Sequence, residues 1–186
     1  KSTFDLFDPI RELFRTINDV AADAFRDGVN ELLDLDSTLR LIAVESFLAE
    51  WDGVLGYAGM NNFYLYRNAT TGQSRMLPWD ADHALYAAEY PLLSGSNENV
   101  LMRRALEDPV LRQLYSSYVR QAIQSASADN WLAGEIAFES QQIRDSAFAD
   151  TVKPYSNEEC AAAIAELTVF GQKRIPFVTK QLEALR

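Results

Sequence analysis

"EWDGVLGYAGMNNFYLYRNATTGQSRMLPWDADHAL", residues 50–85, departs from the sequence on either side of it. It sets a glycine-punctuated acidic loop, two β-prone runs and a Trp-Asp-Ala-Asp sequence inside a chain whose remaining pattern is helical. Gly53, Gly56 and Gly59 break regular structure. Residues 62–67 (NFYLYR) are aromatic and β-prone and read as a strand. Residues 68–72 (NATTG) make a turn in which Gly72 is free to adopt positive φ. Residues 73–79 (QSRMLPW) form the return strand, with Pro78 near its end. The expected fold class is therefore mostly α with one β-hairpin, an α+β chain.

Upstream, residues 7–25 (FDPIRELFRTINDVAADAF) open with Asp8 as an N-cap and Pro9 at the first helical position. Ile10, Leu13, Phe14 and Ile17 follow at helical spacing, and Gly28 is expected to interrupt or end this helix. Residues 36–51 (DSTLRLIAVESFLAEW) read as a second helix capped by Asp36 or Ser37. Leu39, Ile42, Ala43, Phe47 and Trp51 face inward, and the helix is apolar nearly all round, as a central buried helix is. Downstream, residues 99–108 form a helix that stops before Pro109, and residues 109–126 form another on Leu111, Leu114, Tyr115, Tyr118 and Ile123. Gly134 leaves open whether residues 129–150 are one helix or two. Ser156 and Glu159 have capping-box spacing at the head of the last helix. Pro176 predicts a kink or break near Gly171 to Ile175.

The length of 186 residues suits a single domain, 1–186, able to bury a core without staples. Hydrophobic content of 48% and aromatic content of 11% belong to a globular chain. A net charge of −10 repels phosphate backbones, so nucleic acid is not an expected partner, and neither is an anionic membrane. The lone cysteine, Cys160, excludes an internal disulfide and a cysteine-rich metal cluster, and it reads as a small core residue. No run of eighteen apolar residues exists to span a membrane as a helix. No signal peptide is visible. The chain opens on Lys1-Ser2-Thr3, which reads as the start of a processed or excised piece.

The hairpin brings its two ends together, and with them Asp52, Asn62 and Asp80, which are far apart in sequence. Carboxylates and an amide at one end of a hairpin make a hard, oxygen-rich site suited to Mg²⁺ or Mn²⁺ sharing phosphate oxygens. Taken one at a time, the same residues have plainer roles: Asp52 and Asp80 as caps and Asn62 in a turn. Strand alternation leaves open whether Asn61 or Asn62 faces a metal. His83, the one histidine, reads as a helix-start residue bonded to a nearby carboxylate, since no second histidine offers a zinc pair. Asn68-Ala69-Thr70 matches a glycosylation acceptor, Arg103-Arg104 reads as charge balance, and Trp131 and the tyrosines between Tyr86 and Tyr118 read as core or rim.

The order Asp52-Gly53, then NFYLYR, then LPWDAD ending at Asp82, resembles the signature of the CotH family, the spore-coat-type secreted protein kinases with an atypical kinase fold. The helical tail, including residues 105–119 and 170–182, is similar to that family's C-terminal helices. The resemblance implies the C-terminal lobe of a kinase-like domain. By it, Asp52 is the catalytic-loop aspartate that positions or deprotonates the accepting hydroxyl. Asn62 and Asp80 are the metal- and cofactor-binding residues, and Asp82 belongs to the same metal shell. The implied reaction uses Mg²⁺ or Mn²⁺ with ATP and moves phosphate to Ser or Thr of protein substrates, in a secreted or spore-surface setting. Phosphoryl transfer needs these residue types because it rests on positioning and charge neutralisation.

Two features depart from ordinary kinases. Glu50-Trp51 stand where a His-Arg pair would precede the catalytic aspartate. The lysines are Lys1, Lys153, Lys173 and Lys180, none in a strand-like segment before Asp52, and no G-x-G-x-x-G or Walker A motif occurs. The expectation is a C-terminal lobe whose N-terminal, nucleotide-clamping lobe is the missing partner, and no turnover by these residues alone. The competing expectation is a non-catalytic structural or protein-binding module that keeps the fold.

Overall fold

In the computed structural model, residues 7–185 are described. Among them the helices are α1 (Asp8–Asp19), α2 (Phe25–Leu32), α3 (Leu35–Phe47), α4 (Val100–Glu107), α5 (Pro109–Ser127), α6 (Trp131–Ala149) and α7 (Asn157–Glu183). The strands β1 (Phe63–Arg67) and β2 (Ser74–Pro78) form one antiparallel pair, with Phe63 opposite Pro78 and Arg67 opposite Ser74. The α+β expectation holds, and none of these helices is long and apolar enough to cross a membrane.

α3 packs chiefly on α5, with Leu39, Ile42, Ala43 and Phe47 buried against Leu111, Tyr115 and Val119. Burial of this apolar face is the main force holding the helix, since α3 has few charged side chains of its own. Its cap is Asp34, not Asp36 or Ser37: the Asp34 carboxylate accepts the Ser37 N–H at 2.9 Å and also takes Arg75 Nη2 at 2.7 Å. Asp34 N–H donates to Ser74 O at 2.8 Å, so the hairpin is tied to the head of α3. These bonds hold the Asp34 carboxyl below the usual carboxylate range against the opposing effect of its partial burial.

α3 ends at Phe47, earlier than the apolar pattern predicts, and Trp51 lies beyond it. Glu50 N–H bonds Glu45 O at 2.9 Å and Ala49 N–H bonds Ser46 O at 3.3 Å, the paired bonds of a Schellman stop. Ala49, at φ 55°, fills the left-handed position where glycine is usual. Arg174 of α7, fully buried, completes the stop. Its guanidinium donates to Phe47 O at 2.8 Å, to Ser46 O at 2.6 Å and to Ala88 O at 3.0 Å, and it also reaches Tyr90 O.

Other expectations shift by a few residues. The first helix starts at Asp8 itself and ends at Asp19, while Gly28 lies inside α2. Arg104 takes up the carbonyls at the end of α1, donating to Ile17 O at 2.6 Å and to Val20 O. Residues 129–150 hold one helix, with Gly134 inside it. Pro176 sits within an unbroken α7, which opens with the capping box of Ser156 and Glu159. Cys160 is half-buried and not in the core.

Candidate functional site

The site grows from the stop of α3. Beyond Ala49 the chain makes the irregular loop 50–61, held by backbone bonds such as Gly56 N–H to Gly53 O at 2.9 Å and Tyr57 N–H to Trp51 O at 3.1 Å, and by side-chain bonds. Glu50 Oε1 accepts the Asp52 N–H at 2.9 Å, and Glu45 Oε2 accepts the Val54 N–H at 2.9 Å. Asn99, the cap of α4, donates to Val54 O at 3.2 Å from the other side.

Asp52 and Asn62 are in direct contact. Asn62 Nδ2 donates to Asp52 Oδ2 at 3.0 Å and to Asp52 O at 3.1 Å, and Asn61 Nδ2 donates to Asp52 Oδ1 at 3.1 Å. Both amides therefore reach one carboxylate. Asn62 precedes β1 and sits at φ 53°, so the two-residue period of a strand does not separate it from Asn61. With its amide N–H groups spent on Asp52, Asn62 keeps its Oδ1 free to face a ligand.

The hairpin closes the gap to the second acidic segment. Trp79 N–H donates to Asn62 O at 3.0 Å, one step beyond the Phe63–Pro78 pair, so Asp80 follows directly. Asp80, also left-handed at φ 49°, comes one residue after Trp79, the residue bonded to Asn62 at the mouth of the hairpin. Leu85 N–H then bonds Leu48 O at 2.6 Å, which returns residues 80–84 to the end of α3. No helix follows there; Asp82 and His83 lie in a turn, so His83 is not a helix-start residue. Its ring meets the edge of Trp51 at 4.8 Å, and Trp51 also contacts Tyr57 at 4.7 Å.

Asp52 and Asn62 are half-buried, whereas Asn61, Asp80, Asp82 and His83 are exposed, and so is Trp79. Among the described residues the ion pairs join Arg11 to Asp8, Arg26 to Asp27 and Asp108, Arg40 to Asp36 and Arg75 to Asp34, and none engages Asp52, Asp80 or Asp82. No group of three or more acidic, His or Cys side chains among the described residues forms a protein-only metal cage. The donor set is thus one of hard oxygens, too few to enclose an ion. That chemistry fits Mg²⁺ or Mn²⁺ whose shell is completed by water and phosphate.

A mainly apolar cleft of about 850 Å³ adjoins the same loop, lined by Leu13, Phe14, Val54, Met60, Phe63 and Met76. None of the four acidic and amide candidates borders it.

The sequence reading missed Glu45 and Glu50. A signal was present: two glutamates five apart bracket an apolar run at the end of a helix otherwise fit for burial. Burial pushes both carboxyl groups up, Glu45 to about 7.

A family model described as "CotH kinase protein" matches residues 5–178. Over 152 residues the chain is 26% identical to the inner spore coat protein H of Bacillus subtilis (strain 168). That alignment takes in 77% of this chain but only 40% of the relative's length.

Proposed function

The chain belongs to the CotH family, and on that premise we propose that it supplies the acceptor- and metal-binding part of a phosphotransfer site. The proposed reaction moves the terminal phosphate of ATP to Ser or Thr of secreted or spore-surface proteins. Support for the setting comes from the relative's description as a spore coat protein. Because the chain spans about 40% of that relative, the reaction is assigned to the full-length protein.

The observation that carries this reading is the Asp52–Asn62–Trp79 chain of bonds, which sets Asp52 beside the segment bearing Asp80. Asp52 is held by two neutral amides and, among the described residues, by no cation, so its carboxylate stays free to accept a hydrogen bond from an incoming hydroxyl. Asn62 offers its carbonyl oxygen, and Asp80 and Asp82 offer carboxylates, all neutral or anionic oxygen donors. A bound Mg²⁺ or Mn²⁺ would supply charge neutralisation at the phosphate oxygens.

Incubation of the full-length protein with labelled ATP, Mn²⁺ and Ser/Thr-rich acceptor protein tests the reading. Asp52→Ala should lower kcat by about 100-fold or more, the usual scale of a positioned base. Equal turnover by Asp52→Ala would refute the assignment.

A second reading, a non-catalytic protein-binding module, draws support from the 850 Å³ cleft and from a second open apolar groove of about 710 Å³ beside Val44, Leu85, Trp131 and Ile143. It predicts no turnover and a melting temperature insensitive to Mn²⁺ and ATP.

A further inference from the structure

Glu50 is 6% exposed, yet it belongs to no ion pair among the described residues. One of its oxygens, Oε1, accepts the Asp52 N–H; the other, Oε2, is buried and has no partner. Leaving a buried carboxyl oxygen unsatisfied is costly, so a role for this side chain must outweigh that cost. The charges of His83, Asp52 and Asp82 act on it, and it acts in turn on Glu45. Glu45 stands behind it, accepting the Val54 N–H and receiving the Glu50 N–H on its main-chain oxygen.

Gly53 lies between the two bonded amides. A Cβ added there would come within 2.6 Å of Glu45 Oε2 and 2.9 Å of Glu50 Cγ, so the turn lies directly on the two carboxyl groups. The Asp52 side chain is already held by Asn61 and Asn62. On its main chain, the carbonyl accepts from Asn62 Nδ2 at 3.1 Å, and the N–H is held from beneath by Glu50.

We propose that Glu50 is a positioning residue for Asp52, with Glu45 as its companion. The pair clamps the 52–54 turn through its two N–H groups and fixes the direction in which the Asp52 carboxylate points. This rests on the phosphotransfer reading for its consequence in turnover, but the clamp itself is a property of the folded chain. Glu50 touches no reacting atom; it acts through Asp52. A Gln at this position keeps an oxygen for the Asp52 N–H, whereas an Ala does not.

Hydrogen exchange followed by mass spectrometry on the full-length protein, wild type against Glu50→Ala and Glu50→Gln, tests the clamp without reference to activity. Glu50→Ala should speed exchange over residues 51–56 by about 10-fold or more, leave residues 111–119 of α5 unchanged, and be largely rescued in Glu50→Gln. In an active wild type, kcat should fall about 100-fold in Glu50→Ala with KM for ATP altered less than about 3-fold, and Glu50→Gln should recover most of it. Should Glu50→Ala fold poorly, Gly53→Ala displaces both carboxyl groups without deleting either and should loosen the same segment alone. Unchanged exchange over 51–56, equal acceleration in α5, or equal losses in the Gln and Ala variants would each overturn the proposal. A wild type that transfers no phosphate would defeat the function reading, while the exchange ratios would still decide the clamp.

Discussion

Asn62 Nδ2 lies 3.0 Å from Asp52 Oδ2, and nine residues of irregular chain lie between them. The contact exists because Asn62 also gives its carbonyl to Trp79 across the mouth of the hairpin. A loop from the end of α3, the first strand and the acidic segment after the second strand thus meet at one residue.

Arg174 holds the stop of α3 in place, and its removal leaves carbonyls at Ser46, Phe47, Ala88 and Tyr90 without their donor. Burial pulls its guanidinium down to about 10, which still leaves it charged at neutral pH. Arg174→Met should destabilise the protein by about 3–5 kcal/mol, the scale of lost buried polar contacts. Chemical denaturation measures this; a loss under about 1 kcal/mol would show that water substitutes for the guanidinium.

Glu45 makes stability fall as pH rises. Its carboxyl has an ordinary value of 4.5 and a folded value of about 7, so between those limits the folded state keeps a proton that the unfolded chain has lost. Stability therefore declines from pH 4.5 to about 7 and is flat above, with a span of at most ~3 kcal/mol at about 1.4 kcal/mol per tenfold change. Glu45→Gln removes this slope. The difference between wild type and variant, measured by denaturation at pH 5 and pH 8, isolates it from the other carboxylates. Parallel pH profiles would count against it.

Gly95 cannot be replaced. At φ 75° and with an added Cβ only 2.2 Å from Leu55 O, Gly95→Ala must push residues 53–56 away from the 91–99 segment. A loss of about 2 kcal/mol or more is expected, from strain and overpacking together. Gly134, itself exposed within α6 and with nothing within 4 Å of an added Cβ, is the contrasting case. Gly134→Ala should raise stability by about 0.5–1 kcal/mol through helix propensity. Thermal melting of the two variants should move in opposite directions.

The hairpin, the inward face of α3 and the capping box at Ser156 were legible because each has a local signature: β-prone alternation, helical spacing and a three-residue cap. The end of α3 was not. Its left-handed residue is Ala49, not glycine, and its carbonyls are satisfied by Arg174, more than 120 residues away. The same holds for Pro176, whose missing N–H gave a false break in a helix held by packing on α5 and α6. The meeting of Asp52, Asn62 and the segment after β2 was legible because a hairpin brings its two ends together. That Asn61 and Asn62 reach the same carboxylate depended on a backbone angle no residue pattern announces.

The most direct test of the site is the melting temperature of the full-length protein titrated with Mn²⁺ and ATP, for wild type and for Asp80→Ala. Binding at 100 times Kd adds about 2.7 kcal/mol to stability, enough for a clear rise. The wild type should melt higher only when metal and nucleotide are both present, and Asp80→Ala should not respond. An equal rise in both proteins, or none in either, would contradict a phosphate-bridged metal site at the mouth of the hairpin.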